Sequence, residues 1–281
     1  MTNPGDGALQ GGEAALFARY RRDDLPKPLE WNETLDLILA HRSRRNFLKK
    51  KLPAGALETI VAAAQSASTS SNLQLWSVVA VEDPDRKARL AALAGGQQHV
   101  ADCPLFLVWL SDLSRLERLA ERNGREAAAL PYLELFLTGA VDAALAAQNA
   151  VVALESLGLG SVYIGAMRNH PEDVAKELGL PPNVFAVFGM AVGYPDPAVP
   201  TGVKPRLGQR AVLHHEQYQW GEAQLEAVDT LDARFRDFQK EQGLPEQGWV
   251  RQVLSRVRGP ESMSGRSRLR EALGALGIGL K

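Results

Sequence analysis

The sequence predicts an α+β fold, a central mixed or antiparallel sheet flanked by helices, and three observations carry that prediction. Apolar runs of strand length at residues 76–83, 104–112, 161–165 and 184–194 are separated by helical patterns of unequal length, without the strict alternation of a doubly wound sheet. Residues 134–160 form the longest helical pattern, rich in alanine. From residue 221 onward the chain is a succession of amphipathic helices with no strand between them.

Each element has a local reason. Residues 1–30 are Gly-rich and then charged, with no apolar signal core, and read as a flexible N-terminal extension holding at most one short helix. Asn32 is a plausible N-cap for a helix with Leu35, Ile38 and Leu39 at helical spacing, so His41 and the arginines after it fall at its C-terminal end, where cations are favoured. A second helix over 54–67 leads into the polar stretch STSSNLQ at 68–74. The β-branched run WSVVAVED is a strand, residues 85–95 a helix, and PLFLVWLSD an apolar run suited to the centre of a sheet. Gly158 and Gly160 stop the long helix. SVYIG is a strand, 171–180 a helix with Pro171 at its start, and VFAVFGMAVGY another buried strand. Residues 199–209 are a loop punctuated by Pro and Gly, after which 221–243, 249–257 and 265–276 are helices that must wrap onto the body or a partner subunit. The chain thus divides into the extension, a body over 31–220 and a helical extension over 221–281.

Composition excludes several functions. The 281 residues are 45% apolar and 23% charged with a formal charge of −1, which argues against nucleic-acid or membrane-surface partners. One cysteine, Cys103, excludes a disulfide framework and a multi-cysteine metal site, and ADCPLF before a strand makes it a small core residue. The five histidines lack metal-ligand spacing. No apolar run is expected to reach the roughly 20 residues a bilayer requires, and the cytoplasm is the default location. GxGxxG after a strand, GxxxxGK[ST], HExxH and GxSxG are all missing.

What remains is positive charge in two places, HRSRR at 41–45 and KPR at 204–206, together with STSSNLQ and GGQQH. Singly, each reads as helix capping or surface decoration. Together they supply what a polyol with a terminal phosphate requires: hydroxyls and Gln97 for the sugar chain, Lys204 and Arg206 for charge-assisted bonds to the phosphate.

In this order these stretches, with GGQQHVA, AQNAVVALESLGLGSVYIGAMRN and KPRL, make the chain resemble the FMN-containing, NADPH-dependent nitroreductases of the oxygen-insensitive major type, close to bacterial NADPH–flavin oxidoreductases, from about Leu35 to Tyr218. The resemblance implies that 31–220 is an FMN-binding nitroreductase domain within a domain-swapped homodimer. It implies that Arg45 lies at the flavin N1/O2 side, with His41, Ser43 and Arg42 toward the ribityl-phosphate end. Thr69, Ser71 and Leu73 then line the flavin and substrate pocket, Gln97 contacts the ribityl chain, and Tyr163, Ile164, Gly165 and Ala166 place backbone at N5 and O4. Lys204 and Arg206 form the phosphate clamp. Ala166 stands where the family commonly has glycine, and Asn72, a substrate-pocket position with Ser71, where relatives often carry an aromatic. Lys240 and the arginines of GRSRLR are the candidates for holding NADPH. The implied activity is ping-pong hydride transfer from NADPH to flavin N5, then to nitroaromatics, quinones or free flavin. The alternatives are a flavoprotein of the same fold with other chemistry, such as flavin fragmentation or reductive dehalogenation, and a non-catalytic FMN-binding module.

Overall fold

Residues 105–112 alternate their side chains between two buried faces, and the rest of the sheet is built around them. In the computed structural model, which describes residues 12–22 and 30–281, the elements begin with α1 (Gly12–Tyr20), α2 (Glu33–Leu39), α3 (Ala56–Gln65), β1 (Trp76–Val81), α4 (Pro84–Leu93) and α5 (Gln98–Asp102). They continue through β2 (Leu105–Asp112), α6 (Ser114–Arg122), α7 (Leu133–Ser156), β3 (Gly160–Ile164), α8 (Pro171–Leu178) and β4 (Val184–Gly193). Three helices follow, α9 (Glu222–Glu241), α10 (Trp249–Arg256) and α11 (Leu269–Ala275).

The chain forms two compact units, the first from Met1–Arg42 and Thr201–Arg258, the second from Ser43–Pro200 and Gly259–Lys281. This division differs from the predicted boundaries at 30 and 220. The C-terminal helices, expected to act as one extension, are shared: α9 and α10 belong to the first unit and α11 to the second.

The second unit carries the sheet, ordered β1-β2-β4-β3 and antiparallel at every pairing, so the mixed alternative does not apply. Phe106, Val108 and Leu110 of β2 join one core cluster, with Leu90, Val100, Cys103, Ile164 and Met167. Leu105, Leu107 and Trp109 join the other, with Ile60 of α3 and Ala146, Ala147 and Ala150 of α7. Burial on both faces is why β2 reads as an unbroken apolar run, each large side chain contributing about 1.5–3 kcal/mol. Cys103 is fully buried, its thiol pushed up to about 11 by burial, as expected of a core residue. Helix α11 returns to the same body through Leu273, which packs with Phe185 and Ile278.

Helix α7 is, by length and composition, apolar enough to cross a bilayer, contrary to the expectation that no segment is. Here one face packs against α3 and the sheet, while Leu133, Leu137, Val141 and Leu145 are exposed at four-residue spacing. Gly158, at φ 74°, terminates it as predicted, whereas Gly160 opens β3: a Cβ there would lie 2.7 Å from the Arg44 side chain and 2.8 Å from Pro195. Helices α5 and α6 were not anticipated. One spans only five residues, and the other lies in the strongly charged stretch after β2.

In the first unit, Asn32 caps α2 as predicted, accepting from the Leu35 N–H at 3.1 Å. Within the N-terminal extension, the one short helix allowed for is α1. Arg19 of α1, 7% exposed, donates to the Leu39, His41 and Lys204 carbonyls at 2.7, 2.9 and 3.1 Å. The Arg206 N–H returns a bond to the Arg19 carbonyl at 3.1 Å. A guanidinium satisfying three carbonyls fixes this turn of helix far more firmly than glycine-rich composition suggests.

Candidate functional site

Within the second unit, several positions singled out from sequence are brought together at the C-terminal end of β3. Ile164 ends the strand, and Gly165 and Ala166 begin a tight turn running to Arg168. Strand β4 carries a bulge opposite: Trp109 pairs with Phe188 and Leu110 with Ala186, leaving Val187 unpaired. The Arg168 guanidinium donates to the freed Val187 carbonyl, and it lies under Gly165, where a Cβ would be 3.3 Å from its Nη2. Burial, helped by the charge of Arg266, holds the Arg168 pKa below its ordinary value. Arg168 thus braces the Gly165–Ala166 turn, a role that sequence reasoning missed because its signal is a register shift two elements away.

Gln97 and His99 follow a glycine pair that faces Asn169, the residue after this turn. Gly95 and Gly96, at φ 75° and 72°, lead into α5, and the Gln97 amide donates to the Ala94 carbonyl at 2.9 Å, which leaves its carbonyl oxygen for other use. His99 Nε2 is buried with no hydrogen-bond partner, and so is Asn169 Oδ1, whose amide nitrogen lies 3.8 Å from where a Gly95 Cβ would be. Burial, then the charge of Arg45, lowers the His99 pKa, so Arg45 is near this group; Arg45 itself is exposed and makes no ion pair among the described residues. Orphaned buried polar atoms beside an available guanidinium are what a polar, anionic ligand would satisfy.

Other positions have different duties. The Thr69 hydroxyl donates to Asp142 and accepts from the Gln74 N–H, so it organises its own loop. Leu73, half-buried, packs with Leu75, Leu113 and Leu130 in a small core cluster. Ser71 and Asn72 are exposed in left-handed conformations. Tyr163 stacks edge-on against Phe188, 5.1 Å between ring centroids. Of the arginines proposed for NADPH, Arg268 is engaged bidentately by Glu172 at 2.6 and 3.0 Å, which holds that carboxylate below its usual range.

In the first unit, His41 and Arg42 follow α2, and the exposed Lys204 places its ammonium 5.9 Å from the Phe235 ring centroid. Arg206 is exposed and donates to the carbonyls of Lys204 and Pro205. This unit also contains a cavity of about 400 Å³ bordered by Arg22, Arg210 and Arg234, with Thr230 and Glu226 on its walls. Three guanidiniums and one carboxylate border it. Its arginines are scattered along the chain and form no motif, so only the fold brings them to one cavity.

The sequence profile of the Nitroreductase family matches residues 38–194, and that of the Nitroreductase family, C-terminal domain, matches 204–281. The chain belongs to the nitroreductase family. An "FMN reductase (NADPH)" of Bacillus subtilis is 40% identical over 228 residues, 80% of this chain and 91% of the relative. Among solved structures, a B. subtilis nitroreductase superposes with a TM-score of 0.82 at 37% identity, covering 88% of this chain and 99% of that one. An NADPH:FMN oxidoreductase from Vibrio harveyi, solved with NAD+, gives 0.79 at 34% identity over 89% and 100% of the two chains. This nitroreductase fold is accordingly α+β, built on an antiparallel sheet.

Proposed function

We propose that this nitroreductase-family protein is an NADPH-dependent flavin enzyme that binds FMN and passes two electrons to small acceptors such as nitroaromatics, quinones or free flavin. The observation that carries the reading is that two buried polar atoms stand without partners, His99 Nε2, which feels the charge of Arg45, and Asn169 Oδ1, directly after the Gly165–Ala166 turn. The names of the relatives support it: FMN reductase (NADPH), NADPH-flavin oxidoreductase and oxygen-insensitive NADPH nitroreductase.

FMN, when bound, supplies the hydride chemistry itself. The chain's contribution is binding, orientation and charge. Arg45 would provide a cation at the pyrimidine side, where it would stabilise negative charge arising on reduction. Gly165 and Ala166, braced by Arg168, offer backbone at a fixed position. Gln97, Ser43 and Ser71 supply hydrogen bonds, and His41, Arg42, Lys204 and Arg206 supply donors and charge for the phosphate end. The arginine-bordered cavity of the first unit supplies charge for the additional phosphate that distinguishes NADPH from NADH. No acid–base pair is required, because the product proton can come from water. Its reductant makes the cytoplasm the expected location. We also propose a homodimer, supported by the exposed apolar stripe of α7.

The reading is tested by mixing the yellow holoprotein anaerobically with NADPH in a stopped-flow instrument. Bleaching of the flavin within the first turnovers is expected, and Arg45→Ala should keep part of its FMN yet bleach more slowly. A yellow protein that neither NADPH nor NADH bleaches would instead make this a binding module.

A further inference from the structure

Residues 70–74 are bent in a way their composition resists. Ser71, Asn72 and Gln74 have φ of 49°, 55° and 52°, all left-handed, with no glycine among residues 68–75. Such conformations are unfavourable for residues bearing a Cβ and persist only where surroundings impose them. One buried group touches both ends of the bend. Asp142 of α7 is 1% exposed, and its Oδ2 accepts from the Thr69 hydroxyl at 2.5 Å and from the Leu75 N–H at 3.0 Å. Its Oδ1 accepts from the Ser70 N–H at 3.3 Å. Thr69 extends the network by accepting from the Gln74 N–H at 3.0 Å. From the outer side Arg115 donates to the Gln74 carbonyl at 2.6 Å.

The helix comes this close because of Gly139, one turn earlier. A Cβ there would stand 2.3 Å from Ser111 Oγ and 3.1 Å from the Leu75 carbonyl. The ends of the bend are thus tied to one carboxylate, and what protrudes between them is the exposed pair Ser71 and Asn72. The group must be a carboxylate. An asparagine amide would turn an N–H2 toward either the Ser70 N–H or the Leu75 N–H and Thr69 side, replacing an acceptor with a donor.

We propose that Asp142 is a positioning residue for the acceptor pocket: by holding Ser71 and Asn72 in their left-handed conformations it sets which electron acceptors the enzyme prefers. This rests on the reading of Ser71 and Asn72 as pocket residues. The experiment compares kcat/KM for a nitrofuran and for a bulkier quinone in FMN-loaded parent, Asp142→Asn, Thr69→Val, their double variant and Thr69→Ser. Asp142→Asn and Thr69→Val are each expected to change the ratio between the two acceptors by about ten-fold, the scale on which a single feature of a binding pocket discriminates between substrates. The double variant should change it by clearly less than the two single effects combined, since the Thr69–Asp142 bond is lost in both. Thr69→Ser, which keeps the hydroxyl, should hold the parental ratio. If Asp142→Asn fails to fold, Thr69→Val carries the test alone. A fall in turnover by the same factor for both acceptors, or no change, would overturn the proposal. Ser71→Ala and Asn72→Ala separate the two layers: if they shift the ratio and Asp142→Asn does not, the Asp142 proposal alone fails. If neither shifts it, the pocket reading fails and takes the proposal with it.

Discussion

The Arg19 guanidinium donates to the carbonyl of His41 at 2.9 Å, and the same group reaches the carbonyls of Leu39 and Lys204. One buried cation therefore holds both stretches of the first unit that carry proposed phosphate donors. Arg19→Ala would leave three carbonyls without their donor. We expect it to destabilise the protein by about 2–4 kcal/mol, given that hydrogen bonds to charged groups are worth roughly 1.5–3 each and are not additive. Arg19→Lys should recover only part, because an ammonium lacks the planar fork. Urea unfolding followed by tryptophan fluorescence measures both, and an Arg19→Ala midpoint equal to the parent's would refute the anchoring role.

Lys204 and Arg206 are exposed, and an unfolding midpoint measured alongside separates cofactor binding from the Lys204 contact with the Phe235 ring. The double alanine variant should lose FMN on gel filtration while its unfolding midpoint as apoprotein stays near the parent's. Each charge-assisted contact is worth about 1.5–3 kcal/mol, so the expected loss of affinity exceeds a hundred-fold. A variant that emerges with a full complement of FMN removes both residues from the phosphate end.

Much of this was legible in the sequence, and the exceptions share a cause. β2 announced itself by an unbroken apolar run, α2 by the Asn32 cap and α7 by its period, because those signals are local. The short helix allowed for in the glycine-rich N-terminus is anchored by Arg19 bonding to carbonyls 20, 22 and 185 residues away, which the sequence does not show. The sequence displayed the Thr69 hydroxyl but not its partner, Asp142, 73 residues on. Arg168 depends on the bulge at Val187. Long-range side chain to backbone bonds leave no periodicity to read.

His99 supplies a pH test whose sign is fixed. Burial, reinforced by Arg45, lowers its folded pKa below the ordinary value of about 6.5. The unfolded chain therefore takes up this proton at higher pH than the folded one, so stability is retained above about pH 6.5 and declines as pH falls from there toward the folded pKa. Melting temperatures of the parent should drop across that window more than those of His99→Gln. Arg45→Ala should also flatten the slope. Identical slopes in parent and His99→Gln would show that His99 does not titrate as its surroundings dictate.

The cavity bordered by Arg22, Arg210 and Arg234 makes a prediction about the nicotinamide. Arg210→Ala with Arg234→Ala should raise KM for NADPH by about ten-fold or more, since each charge-assisted phosphate contact is worth over a kcal/mol, and leave KM for NADH where it is. By contrast Arg268→Ala, which breaks a solvent-exposed pair with Glu172, should leave the unfolding midpoint near the parent's and not alter the preference. If the double variant weakens both nicotinamides equally, the cavity supplies general charge only and does not read the extra phosphate.

The long helix makes the last prediction. Its inward face is committed: Gly139 fits against Ser111, Asp142 ties the 69–75 bend, and Ala146, Ala147 and Ala150 pack on the sheet. Its outward face carries Leu133, Leu137, Val141 and Leu145, between 44% and 55% exposed. An apolar stripe of this length facing water is unfavourable by about 25 cal/mol for each Å² left uncovered, and a second copy presenting the same stripe would cover it about a two-fold axis. Val141→Arg with Leu145→Arg places two charges in that seam without touching the inward face. Analytical ultracentrifugation should show a dimer for the parent and a folded monomer for the variant, its circular dichroism unchanged. A variant that sediments as the parent does would move the subunit contact to another surface.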